Sequence, residues 1–237
     1  MFLFPSAAAV VAFVFAWLLL RRYARRRRPA ELAWAIALLM YAVASAALAL
    51  GQIDGWSNRE YEVYWTLGAI LNVPFLALGE VFLLNPKRRM VGDVVTLVVL
   101  FATGFALNTV RTATIDPTAL LKDLPLGKDV FRSDTLPYRL AQIYAYPAYL
   151  FLIGGCVWSL ARMRGNPALR DRFAGTLGIA VGATIVAIGS GVGAGLNVVP
   201  VFSVGLLAGI AVMFWGFLRA TRPAPVEHPT AETAASG

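Results

Sequence analysis

Cysteine and histidine are almost absent from this sequence, since its 237 residues include one of each, Cys156 and His228. A single cysteine excludes an internal disulfide framework and a metal site built from several cysteines. A single histidine excludes haem that is bound by two histidines of the same chain. Charged residues are also scarce: they make up 14% of the chain, against about a quarter in a typical soluble domain.

Apolar side chains take the place of the missing charges. They make up 59% of the chain, and the mean hydropathy is +0.68. One small globule cannot hide such an excess, because its surface has to be covered by polar groups. The composition therefore predicts an integral membrane protein, for which lipid is the solvent along much of the chain.

Seven windows are apolar over about the 20 residues that a helix needs to cross a bilayer. They are residues 2–20, 31–52, 62–84, 91–109, 138–160, 173–195 and 200–218. The sequence therefore predicts an all-α fold, a seven-transmembrane-helix bundle over residues 1–220. Residues 221–237 are rich in Pro, Ala and Thr without apolar periodicity, which predicts a disordered tail.

Lysine and arginine lie mostly in alternate connections between these windows. Residues 21–30 hold six, 85–90 three, 161–172 four and 219–237 two, whereas the opposite side holds six in total, including Arg139 at the start of the fifth window. Because basic residues accumulate on the cytoplasmic side of membrane proteins, we predict that the N-terminus lies outside and that the C-terminus and its tail are cytoplasmic.

The segment RRYARRRR at 21–28 follows the first apolar window instead of preceding it. That order indicates a retained span and not a cleavable signal peptide. The segment is interpreted as an orientation signal whose arginines also contact anionic lipid headgroups. Nucleic-acid binding needs a soluble basic face, so no nucleic-acid partner is predicted. A membrane-protein partner and a homo-oligomer both remain open.

Asn72 and Pro74, in AILNVPFLALG, lie near the middle of the third window. A proline inside a helix removes one backbone hydrogen bond and bends the helix. An asparagine in the middle of a membrane needs a hydrogen-bonding partner. The pair is either a candidate ligand-binding position or a structural kink.

The start of the fifth window, PYRLAQIYAYPAYL, concentrates polar and aromatic residues. Gln142, Tyr146 and Tyr149 are spaced by four and three residues and so share one helical face. A helix that faces lipid has no use for such a face. We predict that these three residues and Arg139 line a polar pocket that faces outward; interhelical packing and interfacial anchoring are the alternatives.

Two carboxylates fall at the cytoplasmic ends of predicted spans. Ionisable groups inside a membrane are costly and are functional candidates by default. Glu80, in LALGEVFLL, is a candidate for gating or for an ion pair with an arginine of a connection. Asp93, in MVGDVVTL, is predicted to cap the N-terminus of its helix.

The connection 110–137 is the one segment between spans that is long enough to carry a function. Around PTALLKDL it could form a short amphipathic helix on the membrane surface. Long loops in compact folds are often lids or binding elements. A lid over the bundle and a disordered spacer are the two interpretations.

Glycines follow one helical face in each of the last two spans. The sixth span carries Gly175, Gly178, Gly182, Gly189 and Gly193, and the seventh carries Gly205, Gly209 and Gly216. Small residues allow helix backbones to approach closely in a membrane. The pattern predicts tight packing between these two spans.

The topology resembles that of rhodopsins, G-protein-coupled receptors, SWEET-type sugar transporters and the seven-helix sensor modules of some kinases. A rhodopsin pigment is excluded, because residues 200–218 contain no lysine to hold retinal. The segments LNVP at 71–74 and LNVVP at 196–200 are similar to each other, as the repeated halves of a SWEET-type transporter would be. However, Asn72 is predicted inside a helix and Asn197 in a turn.

No His, Asp and Glu cluster lies at one depth of the predicted membrane, so neither an enzyme, a metal site nor a cofactor is predicted. We expect a non-enzymatic sensing, binding or scaffolding module with an outward-facing pocket for a small molecule or lipid. The alternative is a facilitator of small solutes with SWEET-like topology and without proton coupling. The Ala-, Val- and Arg-rich composition is typical of a multi-pass protein of a bacterial inner membrane.

Overall fold

The computed structural model of the protein describes residues 2–85, 87–196 and 198–221, which form helices, turns and loops and include no β-strand. Seven helices are long and apolar enough to cross a membrane. They are α1 (Leu3–Arg26), α2 (Pro29–Asp54), α3 (Asn58–Leu84), α4 (Arg89–Arg111), α5 (Leu136–Met163), α6 (Arg170–Gly195) and α7 (Val199–Ala220). The prediction of seven long apolar helices is confirmed, an arrangement typical of a polytopic membrane protein. Asn197, His228 and the tail from residue 222 lie outside the described residues.

The helices extend beyond the apolar windows into charged sequence. Helix α1 continues through most of the arginine segment, because arginine is a good helix former. It ends at Arg27, which has a left-handed φ of 51° and donates its backbone N–H to the carbonyl of Tyr23. Pro29 then occupies the first turn of α2, where its missing N–H costs nothing.

Six of the seven helices form a closed ring. Going around it, α1 packs against α2, α2 against α3, α3 against α5, α5 against α6, α6 against α7, and α7 against α1. Helix α4 lies outside the ring against α3 and α5, and it buries only Gly92, Ala106 and Val110. Apolar side chains such as Leu97 and Phe101 therefore point away from the protein, as expected for a helix that faces lipid.

The two ends of the bundle are distinct. The end that carries residues 112–135 is called the loop end below. The opposite end, which carries the α1–α2 connection at Arg27 and Arg28, is called the arginine end. Helices α2 and α6 run from the arginine end to the loop end, and α5 and α7 run in the reverse direction.

Helices α6 and α7 pack closely through their glycines. Each of the eight glycines has atoms of the facing helix where a side chain would begin: Gly175, Gly178, Gly182, Gly189, Gly193, Gly205, Gly209 and Gly216. At the centre of the contact, a Cβ on Gly189 would lie 2.8 Å from the Cα of Gly205. The two backbones thus approach to a distance that only glycine allows.

Helix α3 changes its winding in the middle of its length. It starts at a capping box, in which the Ser57 hydroxyl accepts from the backbone of Glu60 and the Glu60 carboxylate accepts from the backbone of Ser57. Trp65–Leu71 then forms a π-helix, and the Asn72 N–H donates to the carbonyl of Leu67. Pro74 has no N–H to donate and crowds the preceding turn, which is where the helix widens.

The interpretation of Asp93 as a helix cap is wrong. Helix α4 begins at Arg89, and Arg88 occupies the N-cap position. Asp93 is exposed within the helix. The apolar window begins later than the helix because the first residue of α4, Arg89, is basic, and arginine forms helix as readily as apolar residues do.

Candidate functional site

The segment 112–135 folds over the loop end of the bundle. It contains a 3₁₀ turn at Ala119–Leu121 and a one-turn helix at Gly127–Val130, and it buries Leu120, Leu124 and Phe131. The disordered-spacer interpretation is therefore wrong. The amphipathic helix around PTALLKDL is reduced to the 3₁₀ turn, because the residue before Pro125 is disfavoured in helical conformation.

Aromatic residues of α3 hold this segment in place. The Tyr61 hydroxyl donates to the carbonyl of Pro125 at 3.3 Å, and the Trp65 Nε1 donates at 3.1 Å to the carbonyl of Pro137, just after the segment in the first turn of α5. The Trp65 ring lies against Gly127, at a place where no side chain would fit. The segment thus has a fixed position over the loop end.

A local turn stiffens the first part of the segment. The Thr118 hydroxyl and backbone N–H both donate to the Asp116 carboxylate, at 2.7 and 2.8 Å. These hydrogen bonds hold the pKa of the Asp116 carboxyl below its usual range. Asp116 lies in solvent at the surface of the segment and takes no part in the site below it.

A cavity of about 590 Å³ lies under the segment, inside the ring of helices. Its polar or aromatic lining residues are Tyr41, Ser45, Tyr64, Trp65, Asn72, Lys128, Tyr138, Gln142, Tyr146, Tyr149, Ser190 and Phe202. Four of the residues predicted to bind a ligand thus meet in one cavity: Asn72 from α3, and Gln142, Tyr146 and Tyr149 from α5.

The lining changes character along the cavity. Near the loop end it contains Lys128, Tyr138 and Gln142. Toward the arginine end it is formed by aliphatic residues, among them Leu38, Leu76, Leu152, Ile210 and Met213. A bound molecule would therefore meet polar groups at one end and only apolar groups at the other.

Asn72 presents its side-chain amide to the cavity. Its side chain is 6% exposed, and it makes no hydrogen bond to any residue that the structure describes. Water or a ligand in the cavity would satisfy it.

The neighbouring tyrosines are held by the protein. The Thr184 hydroxyl donates to the carbonyl of Ala180 at 2.9 Å, so the Tyr149 hydroxyl is the donor in its 3.0 Å contact with Thr184. The Tyr41 hydroxyl donates to the carbonyl of Leu206 at 2.9 Å. Both phenol oxygens donate within the protein and keep their capacity to accept a hydrogen bond.

Pro74 and Arg139 were also predicted to contact a ligand, but neither lines the cavity. Pro74 lies two residues after Asn72, which places it on another side of α3. Arg139 is exposed in the first turn of α5, where its side chain extends to solvent. Pro74 still shapes the site, since it follows the π-helix that positions Asn72.

Several lining residues were missed by the sequence analysis. Tyr41 and Ser45 are four residues apart in an alanine-rich helix, and this spacing could have identified them in the same way as the face of α5. Lys128 could not have been found, because it reaches the cavity only through the fold of the 112–135 segment.

Glu80 occupies a second, smaller cavity of about 80 Å³ toward the arginine end. Its side chain is buried, and a Cβ on Gly155 would lie 2.5 Å from its Oε1, so that glycine makes room for the carboxyl. Within the described part of the chain, no lysine or arginine forms an ion pair with Glu80. One aliphatic layer separates the two cavities and lines both: Leu38, Leu76, Leu152 and Met213.

The arginine end carries cations over aromatic rings. Arginine guanidinium groups lie 4.7 to 5.4 Å from ring centroids in three pairs on three helices: Arg21 over Trp17, Arg162 over Trp158, and Arg219 over Trp215. Arg22 instead turns inward, and its Nε lies 3.4 Å from the Oε1 of the buried Glu31. Glu31 was missed because it stands at the very start of its apolar window.

Known proteins give no guide to the use of these cavities. A comparison of the chain with models of protein families, with curated proteins and with solved structures found no match. Within the described residues, no three of His, Cys, Asp and Glu lie close enough together to hold a metal ion. A function therefore has to be argued from the geometry and chemistry of the large cavity.

Proposed function

We propose that this protein binds a small molecule or lipid in the large cavity and works without catalysis, as a sensing, binding or scaffolding module. The observation that carries the proposal is the cavity itself. Its volume of about 590 Å³ falls in the range of roughly 300–1,000 Å³ that is typical of small-molecule sites. It combines a largely apolar wall with a smaller number of polar groups, one of which is the amide of Asn72.

A binding role fits the chemistry of the lining better than catalysis does. The polar groups in the described wall of the cavity are hydroxyls, amides, an indole and one ammonium, with no Asp, Glu, His or Cys among them. Such groups orient a ligand by hydrogen bonds. General acid–base chemistry needs a group whose pKa lies near the working pH.

In the proposed orientation the loop end faces outward and the arginine end faces the cytoplasm. The distribution of basic residues supports this direction, and the arginine–tryptophan pairs at the arginine end suit an interface with anionic headgroups. The cavity would then open to the outside of a bacterial inner membrane. A membrane-protein partner, or a second copy of this chain, would respond to the binding of the ligand.

A facilitator of small solutes is the second candidate. It is favoured by one observation, the single aliphatic layer of Leu38, Leu76, Leu152 and Met213 between the two cavities. Movement of this layer would connect the outer cavity with the cavity at Glu80. Flux of the bound compound through liposomes that contain the protein would distinguish this function from binding alone.

Cysteine substitutions at three positions on α5 test the proposed orientation of the bundle and the accessibility of the cavity from outside. In a Cys156→Ala background, we expect Gln142→Cys to react with a membrane-impermeant methanethiosulfonate on intact spheroplasts, because Gln142 lines the cavity near the loop end. Ala161→Cys, which is exposed near the arginine end, should react only after permeabilisation. The buried Leu152→Cys should react slowly in both preparations.

Labelling is measured by the mass of the intact protein. Reaction of Ala161→Cys in intact spheroplasts would reverse the proposed orientation. Unreactive Gln142→Cys, in a protein whose Ala161→Cys behaves as expected, would show that the cavity has no access from outside.

A further inference from the structure

We infer that the ligand is a single-chain amphiphile with an anionic head, which lies with its head at Lys128 and its chain directed toward Leu152 and Met213. We infer also that it enters sideways from the surrounding leaflet, between α5 and α6. This inference rests on the proposed function and deepens it by naming the ligand class and its route.

The change from polar to apolar residues along the cavity wall supports an amphiphilic ligand. The loop-end wall offers the Lys128 ammonium, the Gln142 amide and the hydroxyls of Tyr138 and Ser190. Toward the aliphatic layer at the other end the wall becomes mainly apolar, with Tyr41, Ser45, Asn72 and Tyr149 as its remaining polar groups. A compact polar solute would leave the apolar part empty, whereas a long apolar chain fills it.

The charge of the head follows from Lys128. It is the one charged residue in the described wall of the large cavity. It is exposed, and it forms none of the ion pairs found in the described residues, although the nearby Lys122 is paired with Asp129 at 2.8 Å. An ammonium at the mouth of an apolar cavity favours a carboxylate or a phosphate.

The route follows from the exposure of two lining residues. Tyr146 on α5 is 63% exposed and Gly191 on α6 is also exposed, yet both line the cavity. We take their exposure to mark an opening between α5 and α6, which is the basis of the lateral route. Below this level, the hydrogen bond from Tyr149 to Thr184 joins the two helices. Pro147, inside the continuous helix α5, removes one backbone hydrogen bond of that helix one residue after Tyr146.

A fatty acid and a lipid phosphate both have an anionic head and an apolar chain. Three photoactivatable compounds distinguish between these two ligand classes. The full chain in phosphatidylcholine nanodiscs is titrated with diazirine analogues of palmitate, hexadecyl phosphate and hexadecanol, and labelled peptides are identified by mass spectrometry. We expect at least one anionic compound to label cavity residues with a half-saturating concentration about five- to tenfold below that of hexadecanol, the effect of roughly one charge contact. The better of the two anions identifies the source.

Two lysine variants test the role of the head. Lys128→Gln should remove the preference for the anionic compounds and leave hexadecanol labelling unchanged. Lys122→Gln is the matched control, because this lysine lies in the same segment but outside the cavity wall, and it should keep the preference. Equal labelling by all three compounds in the wild type would contradict the inference that the head is anionic. It would leave the proposal of a binding cavity intact.

Gly191→Trp tests the route, because the space next to Gly191 is open. It should slow the onset of labelling after the compound is mixed with the nanodiscs by a larger factor than it raises the half-saturating concentration, since Gly191 also lines the cavity. An unchanged onset would overturn the lateral route. If none of the three compounds labels the cavity although Gln142→Cys is accessible from outside, the inference that the ligand is an amphiphile is wrong. The proposal of an outward-facing cavity would still stand.

Discussion

Replacing Gly189 and Gly205 together with alanine is expected to prevent the bundle from folding. A Cβ on Gly189 would lie 2.8 Å from the Cα of Gly205, and a Cβ on Gly205 would lie 2.7 Å from the Cα of Gly189. Both obstacles are backbone atoms of a facing helix, so α6 and α7 would have to move apart along their whole contact. Overpacking of this kind costs roughly 1–3 kcal/mol at each site, and here each substitution worsens the other.

The measurement is the yield of monodisperse protein on size-exclusion chromatography, together with its thermal unfolding midpoint in detergent. Gly191→Ala is the matched control, since the space around Gly191 is open over 4 Å. Because alanine forms helix better than glycine by up to about 1 kcal/mol, this variant should match or exceed the wild type. A double variant as stable as Gly191→Ala would show that α6 and α7 do not pack as described.

Filling the large cavity should abolish ligand binding without loss of the fold. Ala141 on α5 and Ala187 on α6 both line the cavity, and phenylalanine at either position places a ring where the ligand would lie. We expect each substitution to raise the half-saturating concentration of the compounds that label the wild-type cavity by about tenfold or more, which corresponds to roughly 1.4 kcal/mol. The thermal midpoint should stay near that of the wild type, because the ring enters empty space instead of displacing packed atoms.

Ala161→Phe is the control for this experiment, because Ala161 lies on α5 but is exposed and outside the cavity. It should label like the wild type. Normal labelling of the cavity peptides in both Ala141→Phe and Ala187→Phe would mean that the compounds bind elsewhere. Two variants on different helices guard against a local packing defect in either one.

The seven helices could be predicted because membrane insertion leaves a local signal. Each span needs about 20 consecutive apolar residues, and all seven windows correspond to helices in the structure. Helix ends could not be read from the same signal. Hydropathy reports which residues lie in lipid, whereas α1 and α4 continue into arginines that form helix outside it. The error at Asp93 has this origin.

The site could be predicted where its residues share one helix. Gln142, Tyr146 and Tyr149 were found from their spacing, because residues three and four apart lie on the same helical face. Lys128 depends on how the 112–135 segment folds back over the bundle, a contact between residues far apart in sequence. The π-helix before Asn72 likewise depends on how α3 accommodates Pro74, and no local sequence pattern predicts it.

The most direct test of the central claim, that the large cavity holds a small molecule, is native mass spectrometry of the full chain gently extracted from its own membrane. The account predicts a protomer or homo-oligomer that retains a small molecule or lipid in the wild type and loses it in Ala187→Phe. A stoichiometric partner protein alongside the retained molecule would add a scaffolding role. Wild-type protein that carries nothing, or a molecule retained equally by Ala187→Phe, would contradict the claim.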